Sequence, residues 1–139
     1  MGASLLTCLV TETGSETLEF IEKHLWFITL SPRIGDFDVL SNTDITTPKA
    51  EALASAAEAC WQAILRLDAE ALGQAMRQSF EARVAMFPRM VNPEIICVIE
   101  QYKHKALGWK LSGAGGGGYL VLVSREPVPH AMQIKIRRP

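Results

Sequence analysis

Gly108-Trp109-Lys110-Leu111-Ser112-Gly113-Ala114-Gly115-Gly116-Gly117-Gly118-Tyr119-Leu120-Val121-Leu122 sets two apolar segments on either side of an unbroken glycine run. Residues 109–111 and 119–124 have the composition of strands, so the stretch predicts a hairpin. A hairpin tip needs only one or two glycines. Each further glycine costs roughly 0.5–1 kcal/mol in ordering entropy relative to alanine, so the succession Gly115 to Gly118 requires a reason beyond the turn. Approach of bare backbone N–H groups to an anion or to another loop is the usual one. A flexible hairpin tip is the plainer alternative.

Upstream of the hairpin the pattern turns helical. Thr47-Pro48 is a start signal, because a threonine oxygen accepts an orphan N–H and proline costs nothing in a first turn. Leu53, Ala57, Cys60, Ile64 and Leu67 then recur at three- and four-residue steps. Asp68 reads as a second N-cap, followed by Leu72, Met76, Phe80, Val84 and Phe87 until Pro88 ends the pattern, which predicts a helical hairpin. Asn92-Pro93-Glu94 opens a third helix with Ile95, Ile99 and Tyr102 on one face and Lys103, His104 and Lys105 at its C-terminal end. Nearer the N-terminus, residues 4–10 and 18–30 read as strands separated by the polar stretch 11–17, with residues 25–30 as a central strand stopped by Ser31-Pro32. Residues 33–46 read as loop. At the other end, residues 133–137 alternate as a half-exposed strand does. Strands, then helices, then strands favour an α+β sandwich with a mainly antiparallel sheet and helices covering one face.

With 139 residues and 48% hydrophobic content, the whole chain, 1–139, is read as one domain with a sizeable core. Fourteen basic against fifteen acidic side chains give no electrostatic footprint for nucleic acid or an anionic membrane. No long uncharged apolar run predicts a membrane span, and the first ten residues lack the basic start of a signal peptide. Cys8, Cys60 and Cys97 fit neither a metal pattern nor a disulfide framework, so reduced cysteines and a cytoplasmic location are expected. His24, His104 and His130 stand without ligand-spaced neighbours, and no metal is assigned.

Gly113, Gly115 and Gly118 satisfy GxGxxG, but a dinucleotide site would open a helix there, and a strand follows instead. A phosphate-binding P-loop would end in Lys-Ser/Thr, where Tyr119-Leu120 stand. The protein-kinase VAIK, HRD and DFG elements do not occur. The stretch from Gly108 to Tyr119 instead resembles the third conserved motif of GHMP kinases, the family of galactokinase, homoserine kinase and mevalonate kinase. Its G-x-K-small-small-G-A-G-G-G-G-aromatic form is similar to the branch acting on heptose 7-phosphate or fucose. The Asn92-Pro93-Glu94-Ile95 helix start and the strand 25–30 followed by Arg33 resemble that branch as well.

The resemblance implies a ferredoxin-like C-terminal domain of an ATP-dependent sugar or sugar-phosphate kinase, placing Ser112, Gly113, Ala114, Gly115, Gly116, Gly117 and Gly118 against substrate or phosphate. Arg33 and Lys110 are candidate substrate contacts. The family's ATP-phosphate loop has no counterpart in these residues, and its catalytic acid and magnesium-gripping residues lie mainly in the N-terminal half. The resemblance therefore implies ATP and Mg as cofactors of the complete enzyme, an N-terminal GHMP domain as partner, and no catalytic residue in this chain. A stand-alone ferredoxin-like ligand-binding or regulatory module is the alternative. Arg125, Lys135, Arg137 and Arg138 read as a solvated basic edge, and Trp26, Trp61 and Trp109 as core or interface residues.

Overall fold

A computed structural model describes residues 14–32, 41–113 and 118–138. The strand expected over residues 4–10 and most of the loop after Pro32 lie outside them. The elements run α1 (Ser15–His24), β1 (Leu25–Thr29), α2 (Thr47–Leu65), α3 (Ala69–Met86), a 3-10 turn (Pro88–Met90), α4 (Pro93–Tyr102), β2 (Gly108–Ser112), β3 (Tyr119–Val123) and β4 (Met132–Gln133). The four strands form one antiparallel sheet in the order β2-β3-β1-β4, so β1 is interior as expected. The α+β class expected from the sequence is thus what the chain adopts.

The expected strand over residues 18–30 is corrected in its first half, where residues 18–24 belong to α1. Thr17 and Phe20 are buried at a three-residue step, Glu16 sits in the first turn, and Lys23 and His24 occupy the last, where each charge complements the helix dipole. The chain passes from helix to strand between His24 and Leu25 with no glycine or proline to mark the change. The three later helices start where caps were read. Thr46, one residue before the expected cap, accepts from Lys49 N–H at 3.3 Å. Asp68 accepts from Ala71 N–H at 3.1 Å and Asn92 from Ile95 N–H at 2.9 Å.

Strand parity sorts the core. Leu111, Leu120, Leu122 and Leu30 on one sheet face join Phe80, Met90 and Ile95, with Trp26, Ile28 and Trp109 packed against them. Val123 on the opposite face joins Phe20, Ala63, Ala69, Leu72 and Met76, with Leu25 and Val121 alongside. Helix α3 supplies both clusters, its first half to the second and Phe80 to the first, because it runs beside the edge strand β2. That approach is possible only because two glycines face each other. A Cβ on Gly108 would lie 2.0 Å from the carbonyl oxygen of Gly73, and one on Gly73 would lie 2.6 Å from the backbone of Leu107. Of the stripe expected in α2 and just beyond it, Cys60, Ile64 and Leu67 pack against this core, while Ala57 is exposed and the fully buried positions are Ala56 and Ala63.

The expected C-terminal strand is shorter than read, with only Met132 and Gln133 in the ladder. Beyond it Ile134 N–H still donates to Leu25 C=O at 3.1 Å, and the chain then turns to α1. Glu22 accepts from Ile136 N–H at 2.7 Å and from the Arg138 guanidinium at 2.8 and 3.1 Å. Arg138 and Arg125 are exposed, as a solvated edge requires, but Arg138 is also clamped by Glu22, and Arg125 lies 3.4 Å from exposed Glu70.

Candidate functional site

The hairpin read from the glycine run is present. Strands β2 and β3 pair from Gly108↔Val123 to Ser112↔Tyr119, so the loop leaves the sheet at Ser112 and returns at Tyr119. Gly113 and Gly118 have φ of +86° and +88°, the left-handed region in which a side chain is strained. These two glycines have a backbone reason to be glycine. Ala114, Gly115, Gly116 and Gly117 lie outside the described residues, as does Arg33.

Both ends of the loop are tied to the fold. The Arg83 guanidinium, in the last turn of α3, donates to Gly113 C=O at 2.8 Å. Leu30 N–H, just past β1, donates to Gly118 C=O at 2.8 Å. Beyond Leu30, Ser31 is itself held, its N–H donating to the Glu94 carboxylate at 3.1 Å and its hydroxyl to the other carboxylate oxygen. The loop ends, the chain after β1 and the first turn of α4 are therefore brought together, although they are far apart in sequence. Arg83, Ser31 and Glu94 were not legible as neighbours of the loop. The only signal for Arg83 was a cation in the last turn of a helix.

Lys110 shares its strand face with Ser112 and Gly108 and is half-buried beside α2 and α3. Burial holds its ammonium below the usual lysine range, the nearby Arg83 charge adds to the effect, and Cys60 opposes it. The Cys60 thiol is pushed up by burial, against a weaker pull from Lys110. On the same sheet face Phe27, Ser112, Tyr119, Val121 and Ile134 line an open depression of about 310 Å³. The Tyr119 ring meets Phe27 edge-on at 5.3 Å and remains 45% exposed. On the opposite face the Arg77 guanidinium covers Trp109 at 4.6 Å.

Among the described residues no group of three or more His, Cys, Asp or Glu side chains lies together. Cys60 and Cys97 are free thiols, and His24 Nδ1 lies 2.8 Å from Phe20 C=O. No described helix is long and apolar enough to cross a membrane.

Residues 47–133, from the start of α2 to the end of β4, match the family described as GHMP kinases C terminal. The chain belongs to this family. Across 66 residues, 48% of its length, this GHMP kinase C-terminal domain is 35% identical to the L-fucokinase/L-fucose-1-P guanylyltransferase of Bacteroides fragilis, of which it spans 7%. A mevalonate kinase crystal structure superimposes on 81% of the chain with a TM-score of 0.44 and 19% identity, the match taking in 36% of that kinase chain.

Proposed function

We propose that this GHMP C-terminal domain is the acceptor-side half of an ATP-dependent sugar or sugar-phosphate kinase and brings residues 112–118 to the active-site cleft. The observation that carries the reading is the double anchoring of the loop, Gly113 by Arg83 and Gly118 by Leu30, the loop and Arg83 lying within the segment 47–133 that matches the family. Phosphoryl transfer asks a protein for positioning and for stabilisation of spread negative charge more than for covalent chemistry. A bare backbone pinned at both ends, with cations at its base, suits that task. ATP supplies the phosphoryl group when bound. The described donor set is cationic around the loop and offers no carboxylate cluster, so the Mg ligands would come from a nucleotide-binding domain rather than from these residues. Such a domain is the proposed partner, and a cytoplasmic location follows from an ATP-dependent reaction on a soluble sugar.

The test is a chimera in which this chain replaces the matching segment of the Bacteroides fragilis enzyme, assayed for ATP-dependent phosphorylation of L-fucose and of heptose 7-phosphate. Turnover that disappears on disrupting the loop with Gly116→Val and Gly117→Val, while the melting temperature holds, supports the reading. A folded chimera that binds ATP yet transfers nothing to either acceptor would reject it in favour of a non-catalytic ligand-binding module.

A further inference from the structure

We propose that the groove between α3 and α4 binds a small organic cation, an amine carried on an apolar ring or short branched chain. The site lies on the sheet face opposite Lys110 and does not depend on the kinase reading.

Phe80 and Val84 of α3, Val91 just past the 3-10 turn, Ile96 and Ile99 of α4 and Trp109 of β2 line a concavity of about 280 Å³. Small-molecule pockets start at about 300 Å³, so the space suits one ring or a short branched chain. Much of its apolar character comes from α4. Ile95, Ile96, Cys97, Val98 and Ile99 are apolar in succession, and a helix apolar on every side is normally covered on every side. Here only Ile95 is buried, Cys97 is exposed and Ile96 is 52% exposed. Apolar surface left open in a concavity is a mark of ligand binding.

The charged groups of the groove fix the class of ligand. Glu81 lines it from α3 and Glu100 from α4. Glu100 holds Lys103 in an exposed pair, of a kind that contributes little. Glu81 has no hydrogen bond or ion pair among the described residues. Arg77 stands four residues earlier on the same helix, a spacing that allows an ion pair. Its guanidinium lies instead over the Trp109 ring, 4.6 Å from the centroid. The cation best placed to neutralise Glu81 is thus engaged by the aromatic floor, and the carboxylate is left to a ligand. Glu81 also lines a second recess, of about 210 Å³, together with Gln74, Arg77 and Gln78. It is therefore common to an apolar groove and a polar recess. An ammonium has three donors and no acceptor, and the Glu81 carboxylate with the amide oxygens of Gln74 and Gln78 offers acceptors beside apolar space for the body of the molecule. An anion would be repelled by Glu81 and Glu100, and a neutral body would leave Glu81 unused.

Methyl and indole NMR signals of the isotope-labelled chain, followed during titration with phenethylamine, phenethyl alcohol and phenylacetate at neutral pH and constant ionic strength, test the site. Saturable shifts are expected at Ile96, Ile99 and Trp109. The amine should bind about tenfold more tightly than the alcohol, as one charge-assisted hydrogen bond provides, and the acid least tightly. Glu81→Gln removes no bond from the described fold, so it should leave the chain folded and erase the preference for the amine. Ile96→Gln, at an exposed position, should weaken amine and alcohol alike. Equal binding of amine and alcohol, shifts linear in every probe, or a preference that survives Glu81→Gln would overturn the proposal. So would shifts of the same signals on raising the protein concentration alone, which would give the groove to a second copy of the chain. No step involves ATP or turnover, so failure here leaves the kinase reading standing, and a dead chimera leaves this site standing.

Discussion

Replacing Gly108 by alanine should be among the most damaging single-methyl additions in the chain. The new Cβ would lie 2.0 Å from Gly73 O, 2.5 Å from Gly73 C and 2.6 Å from Gly73 Cα, all backbone atoms of a helix that cannot rotate away as a side chain can. Restoring ordinary contact, which begins near 3.4 Å, would push α3 and β2 apart by about 1.4 Å, and a gap of ~0.5–1 Å already forfeits a quarter to a half of a contact's attraction. The opened seam carries Leu72 and Met76 on one side and Phe80 and Leu111 on the other. Overpacking commonly costs about 1–3 kcal/mol. With backbone on both sides of the clash the expectation is ~3 kcal/mol or more, a large part of the roughly 5–15 kcal/mol that holds a domain folded. Urea unfolding followed by circular dichroism measures it. Gly73→Ala should be comparable, and the double variant should lose less than the sum, because the first methyl already opens the seam. Gly113→Ala is the contrast, since nothing lies within 4 Å and only its φ of +86° is strained, at about 1–2 kcal/mol. A Gly108→Ala loss below about 1 kcal/mol, with an unchanged m-value, would refute the close crossing.

Further outcomes follow from the caps and charges. Asp68→Ala and Asn92→Ala should each cost ~1 kcal/mol in the same unfolding assay, because each leaves a first-turn N–H without its acceptor. Glu22 is held at about 2 by Arg138 and by Ile136 N–H. A depressed carboxyl pKa means that the clamp is complete above the ordinary value of 4.5 and is lost as pH falls toward 2. The protection factor of the Ile136 N–H, its exchange rate taken relative to the intrinsic rate at each pH, should therefore fall across that window, and Glu22→Gln should remove this pH dependence of the protection. Lys110 has the opposite sign. Its lowered pKa means that its charge costs stability below the folded pKa, and the cost is relieved as pH rises toward 10.5. Lys110→Met should hold or raise the melting temperature at pH 7, the reverse of what loss of a structural ion pair would do.

What could be read in advance was local. Asp68 and Asn92 announced their helices because a cap and its first turn lie within four residues, and residues 109–111 and 119–124 announced a hairpin because the glycines between them break any other structure. Helix α1 escaped because Phe20, Ile21 and Leu25 run into Trp26 and Phe27 without punctuation, so an apolar segment that changes period from helix to strand resembles one long strand. The Thr17, Phe20, His24 spacing and the acidic-to-basic gradient from Glu16 to Lys23 were the available signal. At the candidate site, the sequence singled out the loop and Lys110 as candidates but not the residues that hold the loop ends. Arg83 meets Gly113 across 30 residues, and Ser31, next to the Leu30 anchor, meets Glu94 across 63, separations that no periodicity encodes.

Helix α3 and strand β2 touch at Gly73–Gly108 and again at Arg83–Gly113. Ten helical residues advance about 15 Å and five strand residues about 16 to 17 Å, so the two spans keep step between those points. The helix thereby works as a gauge for the loop. Its first mark is a steric stop that admits no side chain, and its second is a polar catch at the place where the chain leaves the sheet. Removing one residue between positions 73 and 83 would swing Arg83 around the helix by about 100° while leaving the stop in place, releasing the loop and turning Met86, with any buried residue between the deletion and Arg83, away from the core. Length in this stretch of helix is therefore under tighter constraint than composition. Substitutions along its exposed side should be absorbed, and insertions or deletions should not.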